Sequence, residues 1–402
     1  MPDHNKRHIA IFAIITALCL IGDSMLYIVL PVHYADVGLS SLWEVGVLLA
    51  VNRLVRLPLN PCLGWLYKHI SEKTGILAAI FLAVSATLSY AFLDNFWLWI
   101  VARCVWGLAW GLLRLGSLFC IFKLSTPTNR GQLTGLYNGL YRLGSLVGML
   151  FGGILADLIG IRNTAIFFAL VSALAFLLAI LHIPGGKGEG KNQDAGLGLY
   201  ASLAAIAHDS KALWVVLTGG LVALALQGVL ASTLSRLIEV HTGGTVSFFQ
   251  WAIGAASLAG FFQALRWAWE PWLAPLTGKI SDTRLGWRKM LFCACAGAAL
   301  FSCLLALPLP LLVWFACILG MQLVATGLTT LTDAAAADAA ASLHGRTVLV
   351  HYALIVDVGA ALGPLAAYSL NAFLGIDAVY FFCALLYALL ALVWQRKLKA
   401  CP

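Results

Sequence analysis

Apolar runs follow one another along the whole chain, parted by short polar breaks. They fall at residues 8–32, 42–66, 75–93, 97–122, 132–157, 164–183, 212–235, 247–277, 289–307, 311–332, 347–372 and 377–395. A helix needs about 20 apolar residues to cross a bilayer, so the pattern predicts twelve transmembrane helices. The first run, Ile9 to Ile21, follows Lys6 and Arg7 in the manner of a signal peptide. No small-residue cleavage site closes it and further spans follow, so it reads as the start of the first helix. The longest polar break, Pro184 to Lys211, opens with a Gly- and Lys-rich tract. It divides the chain into a six-helix half (1–183), a linker (184–211) and a second six-helix half (212–402). Within the linker, Leu199 to His208 has the composition of a short helix lying on a membrane surface.

Composition narrows the class further. Of the 402 residues 61% are hydrophobic and 10% charged, with a mean hydropathy of +0.92; a soluble domain carries about 25% charged residues. A cytosolic enzyme and a secreted disulfide scaffold are excluded. Nine of the 10 cysteines lie in apolar runs, and neither a CxxC pair nor a Cys/His cluster accompanies them. No redox role, metal site or cofactor is expected. Of the 25 Lys and Arg residues, six lie inside spans; of the others, only Arg162 and Arg236 fall on one side and all the rest on the opposite side. The positive-inside rule then places both termini in the cytoplasm. The net charge of +8 is a consequence of topology, and no nucleic-acid partner is implied.

The two halves repeat each other. Pro61 and Gly64 of span 2 correspond to Pro275 and Gly278 of span 8 at an offset of 214. Tyr137, Gly144 and Gly148 of span 5 correspond to Tyr352, Gly359 and Gly363 of span 11 at 215, and Gly107 of span 4 to Gly320 of span 10 at 213. Parallel six-helix repeats joined by a cytoplasmic linker are an arrangement of secondary transporters, with the substrate near the midplane.

On these residues the chain resembles the major facilitator superfamily along essentially its whole length. The loop Gly278-Lys-Ile-Ser-Asp282-Thr-Arg284-Leu-Gly286-Trp-Arg288-Lys289 is similar to the family's GxxxDRxGRK loop. There the resemblance implies a glycine that permits close helix approach and an acid that holds a partner helix in one state of the cycle. The first-half copy after Gly64 carries Lys68 where the family has its acid. Arg103-Cys-Val-Trp-Gly107, followed by Gly111, resembles the RxxxG motif, and Gly148-Met-Leu-Phe-Gly152-Gly153 the GPxxGG motif associated with antiporters. Met149 replaces the proline, which survives in the second half as Gly363-Pro364. A plainer reading of these glycines is close helix packing by small residues at every fourth position.

Charges inside the spans are costly and need partners or a wet cavity. Arg56 aligns with Glu270 and Arg142 with Asp357, at offsets of 214 and 215, so repeat-related positions carry opposite charges. In the fold that the chain resembles, span 2 lies beside span 11 and span 5 beside span 8. This implies Arg56–Asp357 and Arg142–Glu270 pairs that close the cytoplasmic side; the alternative is that each arginine is a structural anchor. Pairing predicts that joint reversal of Arg56 and Asp357 restores activity lost by either single reversal. Asp23, past the middle of span 1, reads as a desolvated carboxylate that binds protons or a cation, as a neutral acid hydrogen-bonded to a neighbouring helix, or as a structural partner of Arg103. Tyr27, Trp106, Trp110, Tyr137, Tyr141, Trp251 and Trp267 are candidate walls of a substrate cavity, and the excess of membrane arginines tilts the substrate toward an anion.

The expected protein is therefore an all-α polytopic transporter whose partners are a small molecule, protons and the lipid bilayer. The default oligomeric state is a monomer, and the loop style suits a bacterial inner membrane. Proton-coupled export of an amphipathic molecule leads. Uptake of a metabolite or siderophore-like anion, and a non-transporting receptor of the same fold, are the alternatives. An enzyme is not expected: HExxH, GxSxG and Walker A patterns are absent, and Asp333 and Asp338 are five residues apart, off a common helix face.

Overall fold

The computed structural model describes residues 2–67, 69–124, 130–183, 210–248, 251–281, 286–342 and 345–399. They form helices α1 (Pro2–His33), α2 (Leu42–Leu54), α3 (Arg56–Leu66), α4 (Glu72–Ser89), α5 (Phe96–Leu124), α6 (Arg130–His182) and α7 (Ser210–Ala223). A π-helical turn (Leu224–Leu230) then leads into α8 (Ala231–Thr242). A two-stranded antiparallel hairpin, β1 (Thr245–Phe248) with β2 (Trp251–Gly254), precedes α9 (Ala255–Ile280). The chain ends with α10 (Trp287–Leu305), α11 (Leu311–Ser342), α12 (Gly345–Leu374) and α13 (Ile376–Lys399).

Among the described residues, nine helical segments are long and apolar enough to cross a membrane. One of them, Leu133–His182, joins the fifth and sixth apolar runs without a loop. Its helical path is broken only at Gly160 (φ 81°, ψ 159°), a conformation that costs a side-chain-bearing residue dearly. The second run is also interrupted. Pro58 has no N–H to offer the carbonyl of Leu54, and the helix parts at Val55 into α2 and α3. Both pieces are shorter than a span, and α9 carries Arg266, Glu270 and Lys279, so these two stretches fall outside the nine.

One expectation is corrected. The eighth run, read as helical from residue 247, begins as extended chain: Gly243 (φ 71°) and Gly244 (φ 98°) end α8, and Thr245–Phe248 pairs with Trp251–Gly254 as strands. Trp251 therefore lies on β2, not on a spanning helix, and its side chain is outside the described residues. The amphipathic helix expected at 199–208, Lys68, Asp282 and Arg284 also lie outside them.

The chain divides into two compact units. The first comprises Met1–Asn192 with Leu234–Trp267, the second Gln193–Thr233 with Ala268–Pro402. In the first, α6 lies along α1 on a glycine stripe. A Cβ on Gly144 would meet the backbone of Ala17, one on Gly148 the Ile21 carbonyl, and one on Gly152 the Cβ of Met25. On the other side of α6, Gly153 faces the Ala256 backbone of α9, and Gly260 of α9 faces Met149. Backbones at van der Waals contact gain dispersion energy that larger residues would forfeit. In the second unit α12 repeats the device, Gly359 facing the backbone of Gly220 and Gly363 that of Gly228. Large apolar side chains such as Phe373 (87% exposed) and Leu312 (85%) face outward, as a lipid solvent requires.

Candidate functional site

Asp23 is not isolated. Arg103, wholly buried on α5, forms an ion pair through Nη1 with Asp23 Oδ1. Arg103 Nε donates to the Leu48 carbonyl of α2 at 2.9 Å, Nη1 reaches Tyr90 Oη at 3.4 Å, and Asn52 Nδ2 donates to Asp23 Oδ1 at 3.4 Å. One buried charge pair thus gathers α1, α2, α5 and the residue ending α4. Gly107, one turn after Arg103, sets the distance: a Cβ there would stand 2.6 Å from the Asn52 carbonyl oxygen. Desolvating two charges costs several kcal/mol per ion, by order of magnitude, and only close pairing with further hydrogen bonds offsets it. Arg103 Nη2 and Asn52 Oδ1 are buried without a hydrogen-bond partner among the described residues, leaving a donor and an acceptor unused beside the carboxylate. The sequence left several readings of Asp23 open, and the structure shows its carboxylate paired with Arg103.

A second cluster is cationic and aromatic. Arg114 of α5 places Cζ 5.8 Å from the Tyr137 ring and 5.5 Å from that of Tyr141, and its Nη1 donates to Asn138 Oδ1 at 3.2 Å. Tyr141 packs on Tyr137 (5.1 Å) and edge-on to Trp110 (5.7 Å), which neighbours Trp106 (6.4 Å). Arg142 and Arg266 each hold Cζ 5.4 Å from the Trp267 ring. Arg53 donates from Nε to Tyr27 Oη at 3.3 Å. The expected wall is only partly open: Trp106 and Tyr137 are 1% exposed and Tyr27 5%. Tyr137 is packed with Ile9, Ala13, Ile121 and Leu133, its hydroxyl 3.2 Å from Thr16 Oγ1. Trp110, Tyr141 and Trp267 are half-buried.

The remaining candidates are spread over both units. Arg56 opens α3 and Arg142 sits in α6, both in the first unit, whereas Glu270 of α9 and Asp357 of α12 belong to the second; all four are half-buried. Gly64 and Gly278 do not serve close approach, since a Cβ at either meets nothing within 4 Å. Gly286 (φ 74°) precedes the first turn of α10, where Arg288 lies 5.5 Å over the Trp287 ring and Lys289 is exposed. A Cβ on Gly111 would stand 2.5 Å from Leu63 Cδ1, and Pro364 lies within α12. Sequence reasoning missed Tyr90, Asn52 and Asn138, ordinary polar residues in apolar runs whose role depends on which helices meet. Arg114 was visible as a membrane charge but not as the hub of an aromatic cluster.

Residues 12–351, well over half of the chain, match the family model described as Major Facilitator Superfamily. The chain belongs to the major facilitator superfamily. It is thus a multi-pass integral membrane protein of a superfamily of transporters. Among curated proteins, the staphyloferrin B transporter of Staphylococcus aureus is 23% identical over 272 residues, covering 66% of this chain and 63% of that protein. The quinolone resistance protein NorA of Staphylococcus aureus is 25% identical over 170 residues, 42% of this chain and 43% of that protein. The matched stretches span less than two thirds of either relative. The crystal structure of the nucleoside transporter NupG superposes over 98% of this chain and 99% of its own with a TM-score of 0.76 at 14% identity, a likeness of fold alone.

Proposed function

We propose that this superfamily member is a proton-coupled exporter of a small amphipathic organic anion, working by alternating access. The observation that carries the reading is the gathering of Arg114, Arg142 and Arg266 onto the half-buried rings of Tyr141 and Trp267. A guanidinium over an aromatic face presents charge and a flat apolar surface together, which suits a substrate that is itself flat, apolar and carboxylated. Asp23 is the proton-linked group. A proton on its carboxyl cancels the ion pair, weakens the grip on Arg103 and lets the helices it ties move apart. The Gly152-Gly153 motif and the likeness to NorA, named for quinolone resistance, favour export. A second reading, uptake of a siderophore-like anion, draws on the relative named a staphyloferrin B transporter.

The topology belongs to the same proposal: twelve spans in halves 1–183 and 212–402 about the 184–211 linker, both termini cytoplasmic, a monomer in a bacterial inner membrane. The one-sided distribution of loop Lys and Arg supports it. The test compares metabolites and added dyes or drugs, inside cells and in the medium, for the native protein, Asp23→Asn and an empty vector. Species depleted inside only with the native protein establish export and name the substrate. Accumulation inside replaces export by uptake, and three identical profiles remove the transport reading for everything tested.

A further inference from the structure

His33, the last residue of α1, stands between two carboxylates. Its Nδ1 lies 3.0 Å from Asp36 Oδ2 and its Nε2 3.3 Å from Asp157 Oδ1. Asp157, on α6, uses its other oxygen on a third element: Oδ2 accepts from the Ser257 backbone N–H at 2.9 Å and from Ser257 Oγ at 2.6 Å, in the first turn of α9. One carboxylate therefore caps α9 and holds α1 at the same time. Gly254, just ahead of that turn, lies against the Asp157 carboxylate where no Cβ fits, and Gly153 brings α6 onto the α9 backbone one turn away. The His33 and Asp157 side chains are 20% and 16% exposed, so the contact is sheltered yet within reach of water.

The charged and titratable groups around His33 are few. Its own connection supplies Asp36 and Tyr34, and α6 supplies Asp157. The first turn of α9 offers Ser257 and no ionisable side chain. The α4–α5 connection, on which Gly38 packs, carries Asp94, which is paired with Arg162. A neutral imidazole has one N–H and can donate to only one of the two carboxylates. Both contacts are hydrogen bonds only when both ring nitrogens carry protons.

We propose that His33 is a proton-operated latch: a proton taken up at this end of the helices ties α1 to Asp157 and so to the start of α9, and its loss releases α1 while Asp157 stays on α9. The latch lies at the opposite end of α1 from the N-terminus, some 15 Å beyond Asp23 at 1.5 Å per residue. On the proposed topology it faces the outside, where it makes the parting of α1 from α6 and α9 sensitive to external pH. It goes beyond the Asp23 centre and does not depend on it.

Hydrogen exchange of the whole protein in lipid nanodiscs, between pH 5.5 and 8.5 and corrected for intrinsic exchange, tests the latch without any substrate. It therefore stays readable if the transport reading fails. In the native protein, protection of the segment 28–37 should fall about fivefold as pH rises, the weight of a partly exposed ion pair. His33→Lys, which stays charged, should keep protection high across the range, and His33→Gln should give low, flat protection. Native-like exchange in α10 and α11 certifies that each variant is folded. A flat native profile, or a pH step that persists in His33→Gln, overturns the latch.

Discussion

Asp23 and Arg103 are 80 residues apart in the chain and form an ion pair in the fold, and the consequences of breaking it are asymmetric. Arg103→Ala leaves a buried carboxylate uncompensated and should destabilise the protein by about 3–5 kcal/mol, read as a lowered melting temperature in detergent. Joint Asp23→Asn and Arg103→Gln removes both charges and should recover most of that loss while still abolishing proton-coupled flux. At the second cluster, Arg114→Gln should raise the KM for the anion that metabolite profiling names, at unchanged expression, by roughly 10- to 100-fold, the weight of a charged hydrogen bond. Both acid and base were conspicuous in the sequence because charge is rare in apolar runs. Their partners Tyr90 and Asn52 were not, because a tyrosine at a helix end and an asparagine in a span signal nothing until helix contacts assign them a neighbour.

Helices in this protein are positioned by small residues, and the effect depends on what each one faces. Gly144 and Gly64 are both helical glycines, but Gly144 abuts the Ala17 backbone whereas Gly64 has open space. Gly144→Ala should lower thermal stability by about 1–3 kcal/mol through overpacking. Gly64→Ala should leave it unchanged or raise it by up to about 1 kcal/mol through helix propensity. A reversed order in a melting experiment would refute this account of the α1–α6 seam. Element existence was legible from the apolar runs, because lipid imposes the same length and polarity on every span. Element type was not legible at residues 247–254. A short apolar stretch suits helix and strand alike, and it was the positive φ of Gly243 and Gly244 that turned the chain.

The internal repeat makes a prediction about the molecule as a whole. Gly359 meets the Gly220 backbone in the second unit as Gly144 meets that of Ala17 in the first, so Gly359→Ala should cost about as much as Gly144→Ala, again about 1–3 kcal/mol. Gly107 and Gly320 align equally well in sequence yet differ, one facing the Asn52 carbonyl and the other the Phe301 ring. Equivalent position therefore does not guarantee equivalent contact. By itself the sequence determined that the protein lives in lipid and that it resembles a family of transporters, because hydropathy, loop charge and motif spacing are properties of the linear chain. Only the tertiary structure decided that Asp23 pairs with Arg103, that Tyr137 is packed away, and that His33 meets Asp157 and Asp157 meets Ser257. Those are distances between residues 80 to 124 positions apart, and such distances are fixed by how helices pack.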